Sequence, residues 1–588
     1  TPPPIIPATD VRTYPVGQDV GPNGPTCSSE PADTPDPPDS VLPAGGQTYY
    51  VNFLSTTING VGPGGTPNST WGGTGTADGS KAHPFNSLRG LFFTGVTGYP
   101  RALISTAGTG ANWIPGSPKA GYINPGDRVI VEGGDGTTIA NYGNIGTFGG
   151  FQNTDTAGGA GNTKWIKFIA DSASPTPPII SGLSIVSNRG LEFKGFTYRP
   201  STSNAIVGVS SSSLASGISQ DVIITNSLIS PWDTITDAIN AYNAACPYPG
   251  GACPATPNFP TWAAANSKLG IAVSGGSCIA IDDNVVSLTK SSLQVQSIYP
   301  RSILIEDNEF KYSILNDFID YNNSAVIFHN NYIHDGISGQ AANGLHIDAF
   351  QSQWWNNTTA WGEYGLVLNG NRVYERTTTD GAVLRAFADP WQCLTNGESS
   401  NCTDIDYSGE MSVLEGTGNY WVGVQMVNNV AIGGFGGGFH LSPSSSALGW
   451  YTNNTVVSDG SDVATFKASG LSGSDYVANN VSIVFNCPTG VTSGWATNIG
   501  IPWGPIPTMP SNLVNCPSGV SNSSATAPNF TSWTPWNNGN AVNPATIDMH
   551  PTSGGVLKNA GTPGTGIPTT DITGTTRSTT NPSIGAYE

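Results

Sequence analysis

The sequence predicts an all-β solenoid, a chain wound into short stacked coils, on three observations. Seven short apolar strands each end at an asparagine: Asn226, Asn284, Asn308, Asn331, Asn371, Asn429 and Asn454. Each asparagine carries a mostly apolar residue three before it and two after, the pairs being Ile223/Leu228, Ile281/Val286, Ile305/Phe310, Phe328/Ile333, Leu368/Val373, Met426/Ala431 and Tyr451/Val456. The asparagines are 58, 24, 23, 40, 58 and 25 residues apart, which is a repeat of about two dozen residues broken by insertions. One short strand cannot bury its apolar side chains alone, whereas stacked coils give every strand two hydrogen-bonded neighbours and one continuous core. Asn suits the recurring corner because it tolerates the left-handed backbone region and its amide can bond to the coils above and below. No long stretch has the three-and-four spacing of an amphipathic helix.

The elements follow in chain order. Residues 1–47 are Pro-rich and cannot form an interior strand; they read either as a flexible linker or stalk or as an arm that packs on its own solenoid or on a neighbouring subunit. Residues 48–124 hold a first strand (TYYVNF), a Gly-rich loop and the segment HPFNSLRGL. Residues 125–485 hold PGDRVIVEGG, WIKFIADSASPTPPIISG and the asparagine repeats, with insertions at 231–277 and 376–420; residues 486–588 end in DITGTTRSTTNPSIGAYE. This layout resembles the right-handed parallel β-helix (pectin-lyase-like) superfamily of secreted lyases, hydrolases, epimerases, tailspikes and surface proteins. The resemblance spans residues 48–588 and supplies the right hand of the coil. It also makes the HPFNSLRGL segment an N-terminal capping helix and DITGTTRSTTNPSIGAYE a terminal signature; with the cysteine pair Cys487 and Cys516, residues 486–588 are then expected to hold the last coils, a disulfide loop and a terminal cap. It specifies a fold and a compartment and leaves the activity open.

Composition agrees with that compartment. Charged residues are 10% of the chain, against roughly 25% in ordinary soluble domains, and there are 75 glycines for turns. A net charge of −19 argues against nucleic acid and anionic membranes as partners. No apolar run reaches transmembrane length, and the opening TPPPIIP lacks a basic and apolar leader, as expected of a processed, secreted chain. The eight cysteines have no C-x-x-C metal spacing, so disulfides are expected, with Cys246–Cys253, Cys393–Cys402 and Cys487–Cys516 as near neighbours and Cys27 and Cys278 left over. Sequons occur at Asn68 and Asn480.

The chemistry-bearing segment runs from Asn308 to Arg376. Within GLHIDAFQ, strand alternation turns Leu345, Ile347 and Ala349 inward and His346, Asp348 and Phe350 outward. The segment is similar to a His-x-Asp-x-x-Gln pattern of bacterial β-helices, here His346, Asp348 and Gln351. A His beside a carboxylate serves as general acid or base, and carboxylates on adjoining coils can cleave a glycosidic bond. His346, Asp348, Asp320, His334 and Glu363 are therefore the candidate catalytic residues, and Gln351, Arg372, Arg376 and Trp391 the candidate substrate contacts, with Asp335 in reach. Trp262, Trp391 and Tyr407 in the insertions either stack on sugar rings or pack the insertions down. No cofactor is required; Asp317, Asp320 and Asp348 form a candidate Ca2+ site. A lyase needs a cationic or metal-neutralised site, and few basic residues lie here, while the Gly-His-Gly and Arg-Ile-Lys signatures of polygalacturonases are absent although Asp282-Asp283 is present. The expected partner is an extracellular polysaccharide. The competing reading is a non-catalytic subunit of a filament, sheath or adhesin, self-assembled through the N-terminal arm.

Overall fold

The computed structural model describes the chain from residue 42 onward except for residues 54–76, 94–102, 105–120, 150–165, 211–219, 246–258, 297–302, 338–346, 353–362, 379–412, 415–419, 433–437, 458–464, 489–493, 501–512, 523–529, 533–542 and shorter gaps. Among the described residues, three parallel sheets of 13, 12 and 12 strands dominate, and away from the ends each takes in turn one strand of a coil. One coil is Ile303–Glu306 in the first sheet, Glu309–Lys311 in the second and Ile319–Asn322 in the third. The next coil pairs in register, with Ile305 against Phe328, Phe310 against Ile333 and Ile319 against Phe350. The protein is thus a parallel β-helix, and the crossover rule for parallel strands winds it right-handed.

The inner positions form one apolar column from Tyr49 to Val520. Phe168 stacks on Phe193 one coil away, with centroids 4.9 Å apart. The helix Leu88–Phe92 lies against this column and buries Leu88, Leu91 and Phe92, the last 5.1 Å from Phe168. Ser87 caps it, its hydroxyl accepting from the Gly90 N–H at 3.0 Å.

The asparagine corners form a buried ladder longer than the repeat suggested. It runs through Asn284, Asn308, Asn331, Asn371, Asn429, Asn454, Asn480 and Asn498. Each Nδ2 up to Asn480 donates both to a backbone carbonyl of the previous coil and to the Oδ1 of the next asparagine; for Asn331 these are Ile305 O and Asn371 Oδ1, both at 2.9 Å. The residue before most rungs takes the left-handed turn, as at Asp283, Asp307, Asn330, Gly370, Asn428, Asn453 and Asn479. Asn226 belongs to that second set, with φ 48°, and Ser227 occupies the rung. The inward pair of that coil is therefore Ile224 and Ile229 in place of Ile223 and Leu228. Asn480 is fully buried with its amide used on both sides, so that sequon is a structural rung.

Two features depart from the sequence expectation. The first insertion is helical at Ile235–Ala245 and Phe259–Asn266, and Trp262 packs there against Trp232, Tyr242 and Phe259, which assigns this aromatic to holding the insertion down. The C-terminal segment runs along the outside of the second sheet. Phe530, Met549, Leu557, Ile584, Ala586 and Tyr587 cover the outward-facing Tyr374, Val430, Ile432, Val457, Val481 and Ile499. Its backbone accepts from the left-handed row, Asn428 bonding Thr570, Asn453 bonding Ser583 and Asn479 bonding Thr562.

Cys487 and Cys516 join adjacent coils as a disulfide. Cys27, Cys246, Cys253, Cys393 and Cys402, the Cys278 side chain and the arm to residue 41 lie outside the described residues. Among the described residues, no helix is long and apolar enough to cross a membrane.

Candidate functional site

The third sheet brings together the three aspartates of the sequence analysis. Asp317 precedes the strand Ile319–Asn322, which carries Asp320 on its outer face between the inward Ile319 and Tyr321. On the next coil the chain does not alternate as GLHIDAFQ suggests. It bends at Ala349, so Ile347, Ala349 and Phe350 all enter the core, where Phe350 meets Phe328 edge to face at 5.1 Å. Asp348 therefore stands in the corner ahead of the strand Phe350–Ser352. The corner is closed by two backbone donations: Asp348 N–H to Asp317 Oδ1 and Phe318 N–H to Asp348 O, each 2.8 Å.

Asp317, Asp320 and Asp348 are 4%, 3% and 0% exposed, which makes their charge the dominant local problem. The Asp317 carboxyl stands close enough to Asp320 to act on its ionisation. Burial first, then the Asp317 carboxyl, and last the charge of Asp348, push Asp320 up to about 8, against the weaker opposing pull of the Ser291 hydroxyl. That hydroxyl and the Asn316 amide donate to Asp320 Oδ2, each at 3.4 Å. Among the described residues, no group of three or more His, Cys, Asp or Glu is set out to hold a metal ion. Asp320 is flanked in register by Gln294 and Gln351, both half-buried, so the outer row reads Gln, Asp, Gln over three coils.

The other expected site residues go elsewhere or are not described. His334 lies on the second sheet, 1% exposed, with both ring nitrogens engaged: Nδ1 with Asp335 Oδ2 at 2.8 Å and Nε2 with Glu309 Oε1 at 3.0 Å. Burial opposes its charge, but the bonds to Asp335 and Glu309 outweigh burial and raise its pKa. Burial likewise opposes ionisation of Glu309, and the bond from His334 with the Lys311 charge brings it down to about 2. A ring bonded on both sides by carboxylates is a strut and not a free proton carrier. Arg372 is also on the second sheet, in register with Tyr332 and close enough for its charge to act on Tyr374 and Tyr587. His346, Arg376, Trp391 and Tyr407, with the Glu363 side chain, lie outside the described residues.

Two groups escaped sequence reasoning. Glu309, the partner of His334, sits 25 residues before it, a separation of one coil that only the register reveals. On the first sheet, Asp282, Glu306 and His329 form an outer row, with His329 Nδ1 3.4 Å from Glu306 Oε2. Burial, followed by the charges of Glu306, Asp307 and Asp283, raises Asp282 to about 7.

No family model matches the sequence, and no curated protein matches it either. Among solved structures, pectate lyase Pel9A overlaps 93% of this chain and 98% of its own at 13% identity and a TM-score of 0.36. The PL6 family alginate lyase AlyGC overlaps 72% of this chain at 12% identity and a TM-score of 0.34, and the chain spans 55% of it. A mannuronic acid specific family 6 lyase from human gut microbiota overlaps 68% of this chain and 77% of its own at 12% identity and a TM-score of 0.30. The β-helix itself rests on the strand pairings of this chain.

Proposed function

We propose that this chain is a secreted, carbohydrate-active β-helix enzyme that cleaves an extracellular polysaccharide at the aspartates of the third sheet. The observation that carries the reading is the gathering of three buried aspartates, Asp317, Asp320 and Asp348, on two adjoining coils, where burial and the neighbouring carboxylates push Asp320 up to about 8. That is what a general acid needs, because its pKa must lie near the working pH. In this reading Asp320 delivers its proton to the glycosidic oxygen as the C1–O bond breaks. Asp348 takes a proton from the water that attacks C1, and Asp317 keeps Asp320 protonated between turnovers. The glycan approaches along Gln294 and Gln351, whose amides both donate and accept to hydroxyls. The disulfide supports an oxidising compartment.

The test is release of reducing ends from a panel of neutral and acidic polysaccharides, with and without added Ca2+. Asp320→Asn and Asp348→Asn are expected to lower kcat by about 10²–10⁴-fold with an unchanged far-ultraviolet spectrum. Turnover equal to the wild type removes the site. Strict dependence on Ca2+ makes the trio a cation site instead. A wild type that cleaves nothing and forms regular fibres, lost on deletion of residues 1–47, establishes the filament reading.

A further inference from the structure

The His334 strut and the aspartate corner are joined by one residue. Gly336, two positions after His334, sits so tightly that an added Cβ would lie 3.1 Å from Ile347 Cγ2 and 3.2 Å from Phe318 Cε2. Ile347 adjoins Asp348 and Phe318 adjoins Asp317. The same two pairs make the reciprocal backbone donations that close the corner. On the other side Asp335, fully buried with φ 53°, accepts from the Thr377 N–H at 3.0 Å and Oγ at 2.6 Å while holding His334.

We propose that His334 and Asp335 are positioning residues: they fix the turn that wedges Gly336 between Phe318 and Ile347, and so set the contact of Asp317 with Asp348. This rests on the role given above to Asp320. The groups facing the imidazole are few. Glu309 and Lys311 come from the preceding coil, the latter's Nζ 3.0 Å from Glu309 Oε1. Tyr374 comes from the following coil in register, Tyr332 stacks on the ring at 4.1 Å, and Asp335 closes the far side. Two carboxylates therefore hold one imidazolium, and loss of its charge leaves both facing a neutral ring. The turn then loosens, water reaches the aspartates, and the burial that keeps Asp320 protonated declines.

The experiment is an infrared titration of the full-length protein, following the protonated-carboxyl band that Asp320→Asn deletes. In His334→Gln and Gly336→Ala the midpoint of that band is expected to fall toward the ordinary carboxylate range by about one pH unit. His329→Gln, which removes a comparable pair from the first sheet, leaves it in place. Should His334→Gln not fold, Glu309→Gln reports the same loss of charge pairing. Midpoints equal to the wild type in both test variants, or an equal shift in His329→Gln, overturn the positioning role. A wild type that shows the band but cleaves no glycan overturns the proposed activity and leaves positioning standing. Absence of the band from the wild type overturns both.

Discussion

Asn331→Ala removes one rung of the ladder, and its cost follows from the bonds that rung makes. Asn331 Nδ2 donates to Ile305 O and Asn371 Oδ1, both at 2.9 Å, and its Oδ1 accepts from Asn308 Nδ2 at 3.0 Å and Asn308 N–H at 3.2 Å. Alanine deletes all four in a site with no solvent exposure. Two Asn308 donors then lose their acceptor in the dry interior, at a cost of about 1–3 kcal/mol each, and two acceptors lose a donor, so the total is about 3–5 kcal/mol. Asn331→Asp is expected to be at least as damaging, because a carboxylate oxygen would face Ile305 O and Asn371 Oδ1 where an amide now donates. Asn330→Gly is the control: Asn330 has φ 53° and lies beside the ladder, so glycine keeps the turn and costs less than about 1 kcal/mol. Urea unfolding followed by far-ultraviolet circular dichroism reads the difference. Coils contact only their neighbours, so Asn331→Ala is also expected to split the transition into two steps as the two flanks uncouple. A change below about 1 kcal/mol with one sharp transition would refute the view that the ladder holds the coils in register.

Three further outcomes follow. Glu309 is held below its unfolded pKa, so its contribution is present above about pH 4.3 and lost as pH falls toward 2. His334 is held above its unfolded value, so its contribution is present below about pH 6.5 and lost as pH rises through the folded pKa; the strut is thus strongest between those limits, and His334→Gln should flatten the stability profile there. Reducing Cys487–Cys516, which closes a separation of 29 residues, should destabilise the last coils by roughly 3–4 kcal/mol, read as earlier protease cleavage beyond Asn486. Arg577→Met should release the C-terminal segment, because this buried guanidinium bonds Asn428 Oδ1 and Gly585 O at 2.9 Å and meets Glu588 at 3.3 Å. The expected loss is about 3 kcal/mol with new binding of an apolar dye, and an unchanged dye signal would show that the segment holds without it.

The coil was legible because its inward side chains must be apolar and its corner must tolerate a left-handed turn, and both constraints act within five residues of chain. The slip at Asn226 shows the limit of that signal: asparagine satisfies the turn and the rung equally, so where Ser227 takes the rung only the register against Asp282 tells them apart. The covering of the second sheet leaves a trace in the sequence. Its later strands read VAI and TVV, apolar on successive residues where a strand with one wet face alternates, and Val430, Ile432 and Val457 are buried on the side away from the column. The aspartates were legible as candidates, but their chemistry was not. Alternation placed Phe350 outside because it cannot foresee the bend at Ala349, and that bend is what carries Asp348 back to Asp317. His334 was misplaced for the converse reason: a histidine surrounded by acids reads as a catalyst until the preceding coil supplies Glu309 and leaves neither nitrogen free. In a solenoid the decisive neighbour of any outer residue lies one coil away, at a distance along the chain that insertions change at every turn. Local pattern therefore fixes what each coil is made of, and register decides what it can do.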